Sequence, residues 1–290
     1  MNLTDRYWEI SVGTKRIASS TTSAGSRPLT VEFEVAKSLD RDPNRATVKV
    51  TNLSYLTREE LESDEEPELQ ISAGYQDLGL RDTIFVGDCQ DIYSTRDGPN
   101  VVTTVESEDG GRSYRSSRLS MSFPPGSSLA TIISTIAGAM DVGIGNALAI
   151  AATAVLPTGS ATFLSGLSIE GPAWRSLDTV CRSANLRWSV QNGVLQLRRL
   201  RQPAEITTVL LSPSTGLIGS PTRASKDPRT GDISISAKSL LIPGIYPGKT
   251  LVIQSSTVTG NYVCHSVRYV GSTVTNDWYA EIELKDYDAV

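Results

Sequence analysis

The residue types best suited to catalysis stand side by side near the end of the chain, where Cys264 precedes His265, the only histidine. A cysteine beside a histidine could supply a thiolate nucleophile if the two side chains met. Both residues lie in a run of alternating apolar and polar side chains, which predicts a β-strand. Neighbouring side chains on a strand point to opposite faces. We therefore expect a structural role for His265, and a serine triad would have to use that one histidine.

Carboxylates are the next candidates for chemistry. They crowd the acidic run 59–68 and recur at Asp88 and Asp91. Glycoside hydrolysis needs two carboxyl groups held at set distances across a cleft. Nothing in the spacing indicates such a cleft, so a lysozyme-like enzyme has weak support. The acidic run predicts solvated surface instead.

Two groups of residues are spaced partly as in metal-binding or cofactor-binding motifs, but neither motif is complete. Asp40, Asp42 and Asn44 alternate as in a calcium loop, but the glycine and the closing glutamate are missing. Gly143 and Gly145 are spaced as in a dinucleotide fingerprint, but they follow a predicted helix and the third glycine is absent. One histidine and three scattered cysteines cannot build a typical zinc site without carboxylates. The sequence therefore predicts no catalytic, cofactor-binding or metal site.

The cysteines and the apolar stretches bear on the compartment. Cys89, Cys181 and Cys264 are about ninety residues apart and form no CxxC, so we expect buried free thiols in a reducing compartment. Residues 1–9 are polar and acidic, unlike a signal peptide. The longest apolar stretch, 147–157, is too short to span a bilayer. These features predict a soluble cytoplasmic product without stable membrane insertion.

Charge is distributed unevenly. Residues 1–110 contain 21 acidic and 11 basic residues, a net charge of −10, whereas residues 111–290 contain 11 acidic and 16 basic residues, a net charge of +5. Parts of opposite sign could stack against copies or partners, and a chance distribution of solvated charge is the alternative. The densest basic cluster, 198–201, follows a predicted strand, and a solvated strand end is favoured over a nucleic-acid site.

Strict alternation predicts strands in residues 1 to about 110, for example in 31–35, 46–50 and 69–73. Asp97-Gly98 predicts a hairpin turn. Thr57, with Glu60 three residues later, has capping-box spacing and predicts a short helix that begins at Thr57.

The middle of the chain differs. Helical periodicity predicts helices at about 128–141 and 172–185, and Asn192-Gly193 predicts a hairpin at 186–198. Alternation returns after residue 210. The fold class is therefore mainly β with an α+β insert, and we expect domains at 1–110, 111–210 and 211–290. Burial is favoured for all four tryptophans, with a subunit contact as the alternative for Trp8 and Trp278.

The order of several short motifs resembles the hub proteins found in the baseplate or tail tip of tailed bacteriophages and in related injection systems. These motifs are Pro43-Asn44, Asn52-Leu53-Ser54, Ala73-Gly74-Tyr75, Ile84-Phe85-Val86-Gly87-Asp88, Glu108-Asp109-Gly110, Leu240-Leu241-Ile242-Pro243, Pro247-Gly248, Gly260-Asn261-Tyr262 and Asp277-Trp278. The middle region, with Trp188 and Asn192-Gly193, resembles the inserted domain of that family. The likeness covers nearly the whole chain.

The resemblance implies two tail-tube-like β-barrels that flank a smaller helix-hairpin domain. It also implies a homotrimer that joins a sixfold tail tube to a threefold spike and encloses a channel. The implied partners are a tail spike protein, a tail tube or tube-initiator protein, the tape-measure protein and other baseplate proteins, with DNA only in transit. The implied location is the virion, with assembly in the host cytoplasm. Two other functions stay open: a tail-associated cell-wall hydrolase and a sugar-binding β-sandwich adhesin.

Overall fold

The computed structural model describes residues 5–21, 28–65, 67–76, 79–157, 159–199, 202–203, 205–224 and 233–286. Within these ranges the chain is mainly β, with strands β1–β20 and helices α1–α5. None of the described helices has the length and apolar character needed to cross a membrane.

The elements fall into three groups along the chain. The first group, here called the N module, contains β1 (Arg6–Val12), β2 (Lys15–Ser19), β3 (Thr30–Ser38), β4 (Arg45–Thr51), α1 (Tyr55–Ser63), β5 (Glu68–Tyr75), β6 (Leu80–Asp97) and β7 (Asn100–Glu108). The second group, the insert, contains α2 (Gly111–Ser116), β8 (Arg118–Phe123), β9 (Ser127–Ser128), α3 (Leu129–Ala139), β10 (Gly143–Ile144), α4 (Ala147–Thr153), β11 (Thr162–Phe163), β12 (Leu167–Pro172), α5 (Ala173–Ser183), β13 (Leu186–Gln191) and β14 (Val194–Arg199). The third group, the C module, contains β15 (Glu205–Leu211), β16 (Leu217–Arg223), β17 (Ser234–Leu240), β18 (Lys249–Gln254), β19 (Thr259–Ser272) and β20 (Trp278–Lys285).

One sheet of thirteen strands runs through both modules in the order β16-β17-β20-β19-β3-β4-β7-β6-β5-β1-β2, and β18 also pairs with β19 and with β15. The modules join where β3 pairs antiparallel with β19, from Ser38 opposite Ser266 to Glu32 opposite Ser272. Alternate side chains on both strands are buried because only one face of the sheet meets the core. The modules therefore share one continuous apolar core.

The two modules repeat one strand arrangement. The order β3-β4-β7-β6-β5 in the N module matches β16-β17-β20-β19-β18 in the C module, and every neighbouring pair in both sets is antiparallel. The long strand of each set has an irregularity just after a buried cysteine, between Cys89 and Asp91 in β6 and between Cys264 and Ser266 in β19. The matching bulges give a residue-by-residue alignment of the two modules.

The insert has its own core, built from the apolar faces of α3 and α5 and the inner face of the β13–β14 hairpin. The helix expected at 128–141 runs from Leu129 to Ala139, with the Ser128 hydroxyl accepting the first-turn N–H of Thr131. The helix expected at 172–185 runs from Ala173 to Ser183. Asn192 and Gly193, with φ of 53° and 72°, form the two-residue turn of the hairpin.

Three details differ from the sequence-based expectation. Helix α1 begins at Tyr55 and not at Thr57, because the Ser54 hydroxyl caps it by accepting the Thr57 N–H at 3.1 Å. Helix α4 lies in the alanine-rich stretch for which no helix was expected. Strand β15 begins at Glu205 and pairs in parallel with β18, so the strands of the sheet resume before residue 211.

Candidate functional site

The loop between β3 and β4, residues 39–44, lies where the N module, the C module and the insert meet. At its end, Asn44 is buried, and its side-chain nitrogen lies 2.9 Å from the Val190 carbonyl oxygen in the insert. The side-chain oxygen of Asn44 accepts the Ser38 N–H at 2.8 Å, which closes the loop. Gln191 donates back to the Ser38 carbonyl at 2.8 Å. One loop thus connects the sheet to the insert hairpin through buried hydrogen bonds.

Asp109, which follows β7 and is fully buried, holds the tip of that hairpin. One carboxylate oxygen accepts the Asn192 N–H at 2.5 Å, and the other accepts the Gly193 N–H at 2.7 Å. The carboxylate thus satisfies both N–H groups of the half-buried turn. Lys37 completes the network, since its ammonium donates to the Asn192 side-chain oxygen at 2.7 Å and to the Ile84 carbonyl at 3.3 Å.

The two buried charges perturb each other's titration. Burial lowers the pKa of Lys37 to about 8, although the nearby Asp109 carboxylate acts in the opposite direction. Burial raises the pKa of Asp109, opposed by Lys37 and by the hydrogen bonds that the carboxylate accepts. A network of two buried charges and several amides, which are buried or half-buried, tolerates few other geometries. Its role is therefore to set the position of the insert relative to the sheet.

Aromatic contacts reinforce this connection. The Arg41 guanidinium lies 5.6 Å from the centre of the Trp174 ring and 3.3 Å from a carboxylate oxygen of Asp178 on α5. Tyr114 stacks on Trp174 with 6.2 Å between ring centres, and on Trp188 with 5.7 Å. Trp188 is buried and Trp174 is half-buried.

The same loop reaches the C module through Asp40. One of its carboxylate oxygens lies 3.9 Å from Nε2 of His265, and burial, followed by the charge of Lys285, lowers the pKa of His265. Cys264 is fully buried, its Sγ lies 3.6 Å from the Ser266 carbonyl, and burial raises the pKa of the thiol. This environment favours a thiol over a thiolate.

The face of the sheet that is open to solvent carries a hollow of about 730 Å³, lined by residues of β3, β19, β20, β17 and β16 and by the 39–44 loop. Arg268 beside it donates to both carboxylate oxygens of Glu34 at 2.7 Å and to Glu281 at 3.0 Å. These hydrogen bonds hold the pKa of Glu34 below its usual range. The Lys238 ammonium lies 3.4 Å from the centre of the Tyr279 ring. The positive charges here are thus already engaged within the chain.

The carboxylates and glycines considered as candidate sites from the sequence have structural roles or lie exposed. Asp88 accepts the Arg112 N–H at 3.2 Å, and Asp91 lies exposed beyond the bulge. Gly143 and Gly145 donate to carbonyls at Gly193 and Leu195, so they pair with the hairpin. Asn44 is engaged in the buried network and is not available to a calcium ion. Within the described ranges, no group of three or more histidine, cysteine or acidic side chains could hold a metal ion.

Trp8 and Trp278 are both buried, each 4% exposed, as favoured from sequence. Sequence reasoning missed Lys37 and Asp109. The signal for Lys37 was present, because it continues the inward-facing series of residues 31, 33 and 35 on β3.

Comparison with known proteins gives a result at the level of the fold. No protein-family model matches the sequence, and a search of the curated proteins found no match. Among solved structures, a tail protein from Neisseria meningitidis aligns with a TM-score of 0.63 at 10% identity, over 97% of each chain. A prophage tail protein from Shewanella oneidensis aligns with a TM-score of 0.61 at 10% identity, over 97% of this chain and 96% of that one.

A third structure extends the likeness to secretion machines. A type VI secretion system component from E. coli, described as structurally similar to T4 bacteriophage tail proteins, aligns with a TM-score of 0.59 at 10% identity. The alignment covers 97% of this chain and 77% of that protein. The resemblance to tail and hub-like proteins expected from sequence is thus confirmed in the fold, and the chain has, over nearly its whole length, the fold of phage tail proteins.

Proposed function

We propose that this chain is a non-enzymatic structural hub of a phage tail baseplate or tail tip. Three copies form a ring that joins the sixfold tail tube to a threefold spike. The ring encloses the channel for the tape-measure protein and DNA. Its neighbours are the tube or tube-initiator protein above, the spike below and other baseplate proteins around it, in a virion assembled in the host cytoplasm.

The observation that carries this proposal is the repeat of one five-strand arrangement within a single chain. Two equivalent modules per chain give six modules in a trimer, so a threefold assembly presents an approximately sixfold surface. We propose that each module acts as a tail-tube-like barrel, with the domains at 1–110, 111–204 and 205–290, so that the third domain begins with β15.

The open face of the sheet supports the assignment of a channel wall. Phosphate affinity comes from available basic groups, and Arg268 on this face is engaged by Glu34 and Glu281. A wall of this kind lets a polyanion pass without holding it. The buried network at Asp109 supports a fixed position for the insert.

The test is the mass and shape of the assembled chain. The purified protein is studied alone and with the tube and spike proteins of the same tail, by native mass spectrometry and electron microscopy. The expected result is a ring of three chains with six similar lobes on the tail axis. A stoichiometry of six chains per ring, or a position away from the axis, would overturn the proposal.

A further inference from the structure

Within the part of the chain that the structure describes, the repeated five-strand arrangement leaves two of its strand edges open. Residues 91–97 of β6 pair with β7 on one side and with no described strand on the other, because β5 pairs only up to Asp88. Strand β16 pairs with β17 and ends the sheet. Open edges present unpaired backbone N–H and C=O groups that can bind another strand.

Both open edges have equivalents in the other module, and those equivalents pair with each other. In the C module, β19 is the counterpart of β6, and its second half, from Ser266 to Ser272, pairs with β3. Strand β3 is in turn the counterpart of β16. The two open edges are therefore the equivalents of the two edges that pair inside the chain.

Burial differs between these equivalent positions. Counting from the bulge, Val267 on β19 corresponds to Ile92 on β6, and both pair with an inner-face aliphatic residue of the next strand, Ile282 and Val105 respectively. Val267 is 2% exposed where β3 covers the edge, whereas Ile92 is only half-buried. The apolar side chain at the open β6 edge thus lacks the cover that its counterpart has.

There is also space beside the β6 edge. A hollow of about 690 Å³ separates α1 from residues 92–94 of β6, with Tyr55 and Tyr93 in its lining. Tyr55 is 67% exposed and Tyr93 is 39% exposed. Exposed aromatic side chains are typical anchors of protein interfaces. The edge and its apolar border thus provide both backbone and side-chain contacts for an incoming strand.

We propose that residues 91–97 of β6 in one copy pair antiparallel with β16 of a second copy, which repeats between chains the junction of β19 with β3. This inference rests on the proposed hub function and names the surface through which the ring closes. Such a head-to-tail contact closes into a ring when the rotation between copies fits. The irregularity between Ile218 and Thr222, which contains Pro221, keeps the β16 edge short and discourages unspecific pairing.

The internal junction fixes the register. Val270 pairs with Glu34 in the chain. Thr95 lies four residues beyond Asp91, the first paired residue after the bulge in β6, as Val270 lies four beyond Ser266 in β19. Thr222 pairs with Ser236, which pairs with Glu283 opposite Ser266. Glu34 pairs with Thr47, which pairs with Glu106 opposite Asp91, so Thr222 and Glu34 are equivalent. Thr95 of one copy therefore faces Thr222 of the next.

The experiment uses the full chain with Thr95→Cys, with Thr222→Cys, and with both substitutions. Oxidative cross-linking is followed by non-reducing electrophoresis, on the chain alone and on the chain bound to tube and spike proteins. The native cysteines do not interfere, because they are buried and burial raises the pKa of Cys89 and of Cys181 to about 12. The matched control pairs Thr95→Cys with Thr179→Cys, an exposed position on α5.

The expected result is specific to a head-to-tail contact. Neither single variant cross-links with itself, an equal mixture of the two gives a covalent dimer, and the double variant gives a covalent series that ends at the trimer. Within one chain six strands separate β6 from β16, so the covalent dimer reports a contact between chains. The control pair gives no comparable product.

Four outcomes overturn the proposal. A covalent dimer of one single variant alone would mean a twofold contact, and equal cross-linking by the control pair would mean unspecific contact. If native mass spectrometry shows a ring of three chains but no cross-link forms, the proposed contact between β6 and β16 is wrong. The proposed hub function is then unaffected. Chains that stay monomeric, alone and with both partners, would overturn the interface and the hub function together.

Discussion

The ring of Phe33 fills the space in which a side chain on Gly271 would lie, directly across the strand pair that joins the two modules. A Cβ atom on Gly271 would fall 2.2 Å from Cζ of Phe33. Phe33 also packs edge-on against Trp278, with 5.4 Å between ring centres. A bare backbone at Gly271 is therefore what allows an aromatic pair to seal the junction between the modules.

The first prediction concerns this contact. Gly271→Ala should lower the free energy of unfolding by about 1–3 kcal/mol, because the added methyl group displaces a packed ring. Denaturant unfolding measures the change. Gly244→Ala is the control, since no atom lies within 4 Å of a Cβ at Gly244. Equal effects of the two substitutions would contradict the role of the bare backbone.

The second prediction concerns the titration of Lys37. Because its pKa is about 8 in the folded chain and 10.5 is its ordinary value, the unfolded chain binds more protons between these pH values. The contribution of Lys37 to stability therefore rises by about 3 kcal/mol as the pH increases from about 8 to 10.5, and it is constant below about 8. The measurement is the free energy of unfolding against pH for the native chain and for Lys37→Met.

The difference between those two profiles should show the rise, because other groups that titrate in this range are common to both proteins. Lys49→Met, at an exposed position of β4, is the control and should leave the native profile unchanged. Parallel profiles for the native chain and Lys37→Met would show that the ammonium is not buried.

The third prediction concerns Asp109. Asp109→Ala should lower the free energy of unfolding by about 3–5 kcal/mol, because it removes the buried opposite charge that acts on Lys37 and the acceptor of two turn N–H groups. Amide hydrogen exchange should accelerate most at Asn192 and Gly193. Asp91→Ala, at an exposed position, should change stability little. Unchanged exchange at the turn would show that Asp109 does not hold the insert in position.

The fourth prediction concerns the open face of the sheet. Glu34→Gln combined with Glu281→Gln frees the Arg268 guanidinium from both of its carboxylate partners. DNA affinity should then increase and should fall steeply with added salt, because freed basic groups bind phosphate by releasing counterions. Fluorescence anisotropy with duplex DNA measures this. Glu59→Gln combined with Glu62→Gln, on α1, makes the same change of net charge away from this face. An equal increase of DNA affinity in both double variants would show that the effect depends on net charge and not on Arg268.

Local patterns predicted the local elements and failed where distant segments meet. Alternation indicated β3, β4, β5 and β20, and Asn192-Gly193 indicated its hairpin, because each depends on neighbours in sequence. The pairing of β3 with β19 joins strands more than two hundred residues apart, and the sequence of neither strand indicates which strand it pairs with. The repeat of the modules is a repeat of pairing order and of bulge position, with little repetition of residue types.

The buried network shows the same limit. Lys37 could have been found, because a lysine at an inward position of a strand requires a buried partner. Its partners could not, because Asp109 and Asn192 are brought to it by the folding of the sheet and of the insert. Helix α4 was missed because it is short, and the Asn146 side chain before it bonds to Leu197 on β14 instead of capping the helix.

The insert lies in the chain between the two modules and occurs once for every two of them. Around a closed ring of three chains, six nearly equivalent lobes would then bear only three outgrowths, each fixed to its N module through Asp109. The inner circumference would keep the regularity of a hexagon while the outer profile became triangular. A single gene product would in this way connect a sixfold structure to a threefold one, without a separate adaptor protein.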